Sequence, residues 1–514
     1  MPNPARPRAA ALTATALLLT SALAGCGDAA GDEDLTGQKL DWKNCPAPSS
    51  SEGGGSAPSP LPDGDRWMCA TMKAPRDWTD PKGDTIGIAL IRAEASGEPS
   101  RRIGSLVFNF GGPGASGVAT LPAFGEEYAT LRTRYDLVSF DPRGVGRSAG
   151  VRCENDQQLD AYFQQDMTPD DAAERATLLD NTEAFNAACE EHSEDMLPHV
   201  RTTDAARDMD LMRQVLDDTR LHYFGISYGT ELGGVYAHLF PRNVGRAVFD
   251  AVVDPTQTPE QGTLAQTKGF QLALDNYAED CASAAEDCPV GDTAQDVKDR
   301  IAALLKRLES RPIPGVFPRV LTQSAATNGI LQALYSKDLW EYLTEGLEQA
   351  YDGDGRILML LSDSLNGRSA NGEYSNITAA NAAVNCSDDR PRYSAGYVEG
   401  RLPEFRAASP LFGDLLAWSM VNCTDWAVPG AADHPDVGAA GSAPILVVGN
   451  TGDPATPYEG ARKMVNALGK GVGVELTYKG QGHGAYSSKN KCVRAAVDGY
   501  LLEGRVPAAG TVCS

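Results

Sequence analysis

Apolar positions follow two different periods along this chain. Short runs rich in Val, Ile, Leu and Phe recur at 67–72, 86–92, 105–110, 221–224, 246–253, 444–449 and 474–478, and each reads as a β-strand. The run Pro444-Ile445-Leu446-Val447-Val448-Gly449 is apolar almost throughout, as expected of a parallel strand covered on both faces. A three-to-four-residue spacing of apolar positions marks 230–239 as helix. The same spacing returns at 266–282, 293–308, 326–335 and 338–351. Strands therefore dominate both ends of the pattern, and helices fill its middle. At 514 residues the chain could hold two or three average domains, but no internal repeat divides it. The pattern reads as α/β, with the strands grouped in 67–255 and 436–514 and helical spacing recurring through 256–435.

The first 66 residues stand apart. Arg6 and Arg8 precede an apolar stretch at 9–19 that is too short to cross a bilayer, so residues 1–25 read as an export signal. Leu23-Ala24-Gly25-Cys26 resembles a bacterial lipobox. That resemblance implies cleavage before Cys26, lipid on its sulfur and a mature protein tethered to the outer face of the membrane; an ordinary secretory signal is the alternative. Residues 26–66, rich in Gly, Pro, Ser and acidic side chains, read as a flexible spacer. Eleven Cys are present. With Cys26 lipidated, ten remain for disulfides in an exported chain. Short loops suggest Cys45 with Cys69, Cys153 with Cys189, Cys281 with Cys288, Cys386 with Cys423 and Cys492 with Cys513. No C-x-x-C pair exists and no Cys clusters with His, so no metal site is expected. The formal net charge is −24, from 69 acidic and 45 basic residues, which argues against a nucleic-acid partner.

Chemistry concentrates at Gly225-Ile226-Ser227-Tyr228-Gly229. A strand, a G-x-S-x-G turn and a helix form a nucleophile elbow, in which a strained Ser is exposed at the end of a sheet strand. A second match, Gly146-Arg147-Ser148-Ala149-Gly150, follows a turn and leads into no helix, so Ser148 reads as a loop residue. A triad of this type runs Ser, then acid, then His. Of six His, His483 lies on the Gly-rich loop Gly480–Gly484 just past a late strand. Asp453 lies just past the 444–449 strand, where it can orient an imidazole. Asp254, after the strand that follows the elbow helix, is the competing acid. Thr456 is placed to orient Asp453. Oxyanion donors are expected from the N–H of Tyr228 and from the loop Gly111-Gly112-Pro113-Gly114, with Gly111 first choice and Gly112 second.

Together these motifs resemble one family. The carrying residues are 109–117, the stretch Tyr135 to Ser148, Tyr223 to Thr230, Val252-Val253-Asp254-Pro255, and the Asp453 and His483 loops. They look like the α/β-hydrolase serine peptidases that release residues from peptide amino termini, nearest to the secreted bacterial tripeptidyl aminopeptidases, with proline iminopeptidases as cousins. Phe110 and Tyr228 stand where the iminopeptidases usually carry His and Trp, which puts strict proline specificity in doubt. The resemblance implies an α/β-hydrolase fold with a helical lid inserted at 256–435. It also implies a Ser-His-Asp acyl-enzyme mechanism with no cofactor, acting on peptides with a free amino terminus. Recognising a terminal ammonium requires carboxylates; Asp388, Asp389 and Asp425, beside Cys386 and Cys423, are candidates. A monomer is expected, with membrane contact only through the lipid anchor. An esterase acting on small esters, and a surface lipoprotein that binds peptides without cleaving them, are the alternatives.

Overall fold

Ten strands form one sheet, and their alternating side chains build two cores. The structure, a computed structural model, describes residues 34–49, 52–283, 288–432 and 434–514; the expected signal at 1–25 and Cys26 lie outside the described residues. The strands are β1 Lys43–Asn44, β2 Met68–Pro75, β3 Thr85–Ala93, β4 Gly104–Asn109, β5 Tyr135–Phe140, β6 Leu221–Ile226 and β7 Val244–Asp250, followed by a hairpin of β8 Ile313–Pro314 and β9 Val320–Leu321. The last three are β10 Ile445–Gly452, β11 Gly473–Gln481 and β12 Thr511–Cys513. Sheet order is β1-β2-β3-β5-β4-β6-β7-β10-β11-β12. Pairing is antiparallel from β1 to β5 and parallel from β5 through β12.

Val107, Val138, Tyr223, Phe249 and Val447 point to one face, where they pack with Ala205, Met209, Leu232, Val235 and Met464 from helices. Leu106, Phe108, Leu137, Phe224, Val248 and Leu446 point to the other, against Leu121, Leu131, Val493 and Val497. With helices covering both faces, every residue of β4 and β5 is buried. The architecture is helix, sheet, helix: the α/β-hydrolase fold expected from sequence.

The helices predicted between β7 and β10 form, as Pro259–Ser283, Ala294–Ser310, Gln323–Leu334 and Trp340–Tyr351. With Leu358 from the next helix, Arg356–Leu365, they bury a core of their own, including Phe270, Leu274, Ile301, Leu304, Ile330 and Leu343. The later helix Ile377–Asp388 behaves differently. Its Ala379, Ala383 and Val384 join the sheet's core instead.

One expectation fails. Residues 35–49 and 52–66, read as part of a flexible spacer, belong to the same compact unit as the sheet. Leu35, Leu40 and Trp42 pack against the sheet's core, and β1 pairs with β2. Gln38 exchanges side-chain hydrogen bonds with the Lys73 backbone at 2.8 and 2.9 Å. Buried Glu52 forms an ion pair with Arg147. Polar composition concealed a few anchors that tie these residues down. All five expected disulfides form, Cys45–Cys69 among them. Among the described residues no helix is long and apolar enough to cross a membrane.

Candidate active site

Ser227 occupies the single residue between β6 and the helix Tyr228–Leu239, with φ 58° and ψ −128°. A side-chain-bearing residue in this region is strained, as the elbow motif predicts. The flanking glycines are required by space. A Cβ at Gly225 would come within 2.4 Å of the Gly229 carbonyl, and one at Gly229 within 2.6 Å of the Asn109 carbonyl. The turn is held by Ser227 N–H donating to the Asp250 carbonyl at 3.1 Å.

At the ends of β10 and β11, the acid and the imidazole meet. Asp453, 2% exposed, lies 2.9 and 3.1 Å from His483 Nδ1 through its two oxygens. It also accepts from the N–H groups of Ala455 at 3.0 Å and Thr456 at 2.9 Å. The Thr456 hydroxyl lies 3.4 Å from the same ring nitrogen. A proton on Nδ1, donated to Asp453, leaves Nε2 as the basic nitrogen. Burial pushes the His483 pKa down, but the Asp453 carboxylate outweighs it and the pKa is raised above its ordinary value.

The competitors have other partners. His222 is driven down to about 4 by burial within the sheet, and its Nδ1 accepts from Arg246 N–H. His192 and His238 bond backbone carbonyls. Ser148 is fully buried and accepts from Ala89 N–H at 2.9 Å, a structural task. Asp254 accepts from its own neighbour, Thr256, in a turn.

The Gly111–Gly114 loop lies against the elbow: a Cβ at Gly111 would meet Ser227 Cβ at 2.8 Å. Gly111, first choice as oxyanion donor, gives its N–H to Asn109 Oδ1 at 3.0 Å. Sequence could not reveal this, because the acceptor is a side chain curling back two residues. The N–H groups of Gly112 and Tyr228 make no hydrogen bond among the described residues. Asp388 is likewise committed elsewhere. It is buried and accepts from the N–H and hydroxyl of Thr202, at the start of the helix Thr202–Val215. Burial pushes its pKa up to about 7. Asp425 is exposed, in a left-handed turn at φ 59°.

Helices from between β7 and β10 touch each of these loops. Tyr335 accepts the His483 N–H at 2.7 Å through its carbonyl and sets its ring at 90° to the imidazole, centroids 5.2 Å apart. Asn276 bonds Gln481 at 2.8 Å. A Cβ at Gly269 would strike the Pro454 carbonyl at 2.3 Å. Asn381 donates to the Pro113 carbonyl at 3.1 Å. Sequence reasoning missed Asp250 and Tyr335. Asp250 had a signal, a carboxylate inside the apolar run Val248-Phe249-Asp250-Ala251-Val252; Tyr335 had none.

A strained serine after a parallel strand, with an Asp two strands over paired to a His three strands over, is the arrangement of an α/β-hydrolase of the serine type. Residues 409–513 match the family model described as TAP-like protein. The chain is 34% identical to Serine protease Hip1 of Mycobacterium tuberculosis, over 98% of this chain and 96% of that protein. It is also 34% identical to Carboxylesterase B of Mycobacterium tuberculosis, over 87% and 86%. Identity to the tripeptidyl aminopeptidase of Streptomyces lividans is 29%, over 92% and 86%. The chain belongs to this family of tripeptidyl-aminopeptidase-like α/β-hydrolases.

Proposed function

We propose that the protein is a serine exopeptidase that releases short peptides, tripeptides first among them, from free amino termini. The paired His483 and Asp453 carry this reading. His483 takes the proton from the Ser227 hydroxyl as it attacks the scissile carbonyl. The N–H groups of Tyr228 and Gly112 receive the oxyanion. His483 then protonates the leaving amine, and water repeats the sequence on the acyl-enzyme. Thr456 holds the Asp453 carboxylate. Helices against all three loops favour narrow substrates such as chain ends, and the Streptomyces relative is named for tripeptide release. The protein acts at the cell surface, with Cys26 as its lipid anchor and peptides as its partners.

Hydrolysis of small esters by the same residues is the second reading, favoured by the equal identity to a protein named carboxylesterase. Matched peptides with free and blocked amino termini, followed by product mass, separate the two. The exopeptidase should lose the blocked substrates and release tripeptides from the free ones; equal rates on both would overturn it. Ser227→Ala should abolish turnover and leave the melting temperature unchanged. Wild-type turnover in that variant would remove Ser227 from the mechanism.

A further inference from the structure

We propose that Asp250 is a positioning residue that sets the His483 loop and the Ser227 turn relative to one another. The inference rests on the catalytic reading of Ser227 and His483 above. Asp250 is the last residue of β7, the strand between the one that delivers Ser227 and the one that delivers Asp453. In register it lies beside Ile226 on one side and Val448 on the other.

Its main chain and its side chain have different tasks. The carbonyl accepts the Ser227 N–H at 3.1 Å. The carboxylate, in a residue only 2% exposed, receives the Ala485 N–H at 2.9 and 3.0 Å and the Tyr486 N–H at 2.9 Å. It also receives the Ala251 N–H at 2.9 Å. Ala485 and Tyr486 follow His483 by two and three residues, so this fork fastens the far side of the histidine loop. Asp453 and Tyr335 hold its near side.

No Lys, Arg or His forms an ion pair with Asp250 among the described residues. A buried carboxylate without a cation is costly, and backbone amides alone satisfy this one. An apolar side chain here would leave the N–H groups of Ala251, Ala485 and Tyr486 without their acceptor, which is also costly. Every contact here is a donor aimed at oxygen, so an amide in place of the carboxylate would turn an NH2 group against at least one N–H. The catalytic loops tolerate little displacement, since an error of about 1 Å can cost about 100-fold in rate. The groups facing His483 are Asp453 from the β10 loop, Asp250 from β7 and the uncharged ring of Tyr335 from the helices.

The test compares the full-length protein with its Asp250→Asn and Asp250→Glu variants, with rates taken per fluorophosphonate-labelled site. Asp250→Asn should lower kcat roughly 10- to 100-fold while KM stays within about twofold. It should slow labelling of Ser227 in proportion. It should also move the acid limb of kcat/KM to lower pH, because His483 loses a neighbouring negative charge. Asp250→Glu, which keeps the charge, should leave the acid limb in place. A scaffold role would lower the melting temperature and the fraction of active sites, but not the rate per site or the acid limb. Wild-type kcat per site with an unmoved limb would overturn the proposal. Should Asp250→Asn fail to fold, the wild-type protein labelled with 15N-alanine and 15N-tyrosine decides. The amides of Ala485 and Tyr486 should resonate downfield and exchange slowly; exchange at the rate of exposed loops would overturn it. An active Ser227→Ala variant would defeat the catalytic reading, whereas an unaffected Asp250→Asn beside a dead Ser227→Ala defeats only this inference.

Discussion

The loops ending β4, β6, β7, β10 and β11 and the helices between β7 and β10 rest on different cores. The loops are anchored in a sheet whose side chains alternate between two packed faces. Most of the helices pack around Phe270, Leu304, Leu343 and their neighbours, with no strand of the sheet contributing. Outside the helix Ile377–Asp388, which joins the sheet's core, the helices reach the loops through a carbonyl and a polar side chain, Tyr335 at His483 and Asn276 at Gln481. On the proposed function the sheet carries the chemistry and the helices govern access to it, so each should tolerate disturbance with limited effect on the other.

The largest effect that would sharpen this contrast lies on the sheet side. Asp453→Asn should lower kcat by on the order of 10⁴-fold by losing the tautomer that presents Nε2, with little change in melting temperature. Its acid limb should also move. The carboxylate raises the His483 pKa, and the base works only when neutral, so activity falls as pH drops through that raised value. Without the carboxylate the limb should shift to lower pH; an unmoved limb in the pH–rate profile would separate Asp453 from the base.

On the helix side the expected order reverses. Leu343 is fully buried in the helical core, and Leu343→Ala should cost about 2–5 kcal/mol by leaving a cavity. Thermal melting would show this, while kcat/KM at 25 °C should stay within about threefold. Lost turnover with unchanged stability would break the division between the two regions.

The smallest effect lies at their seam. Asp388 has a folded pKa of about 7 against a reference of 3.8, raised by burial. Between these values the unfolded chain releases a proton that the folded chain keeps, so this group's contribution to stability falls as pH rises from about 4 to about 7. The melting temperature of the wild type relative to Asp388→Asn should decline across that window. A difference independent of pH would mean that Asp388 is ionised in the fold.

Much of this molecule was legible in its residues because the information is local. Strand and helix periods, the glycines around Ser227, and His483 and Asp453 just past apolar runs each sit within a few positions of one another. Disulfide partners followed from short separations. Local reading failed where a partner came from elsewhere. Gly111 lost its free N–H to Asn109, Asp388 turned inward to Thr202, and Gln38, Glu52 and Cys45 of the expected spacer were tied down by Lys73, Arg147 and Cys69.

Backbone sterics and side-chain periodicity are properties of neighbouring residues, so the sequence alone determined the strands, the elbow and the order of Ser, Asp and His. Burial and hydrogen bonding across hundreds of residues are not. Tertiary structure decided that Tyr335 reaches His483 and that Asp250 faces Ala485 and Tyr486, because only packing brings those donors and acceptors within 3 Å.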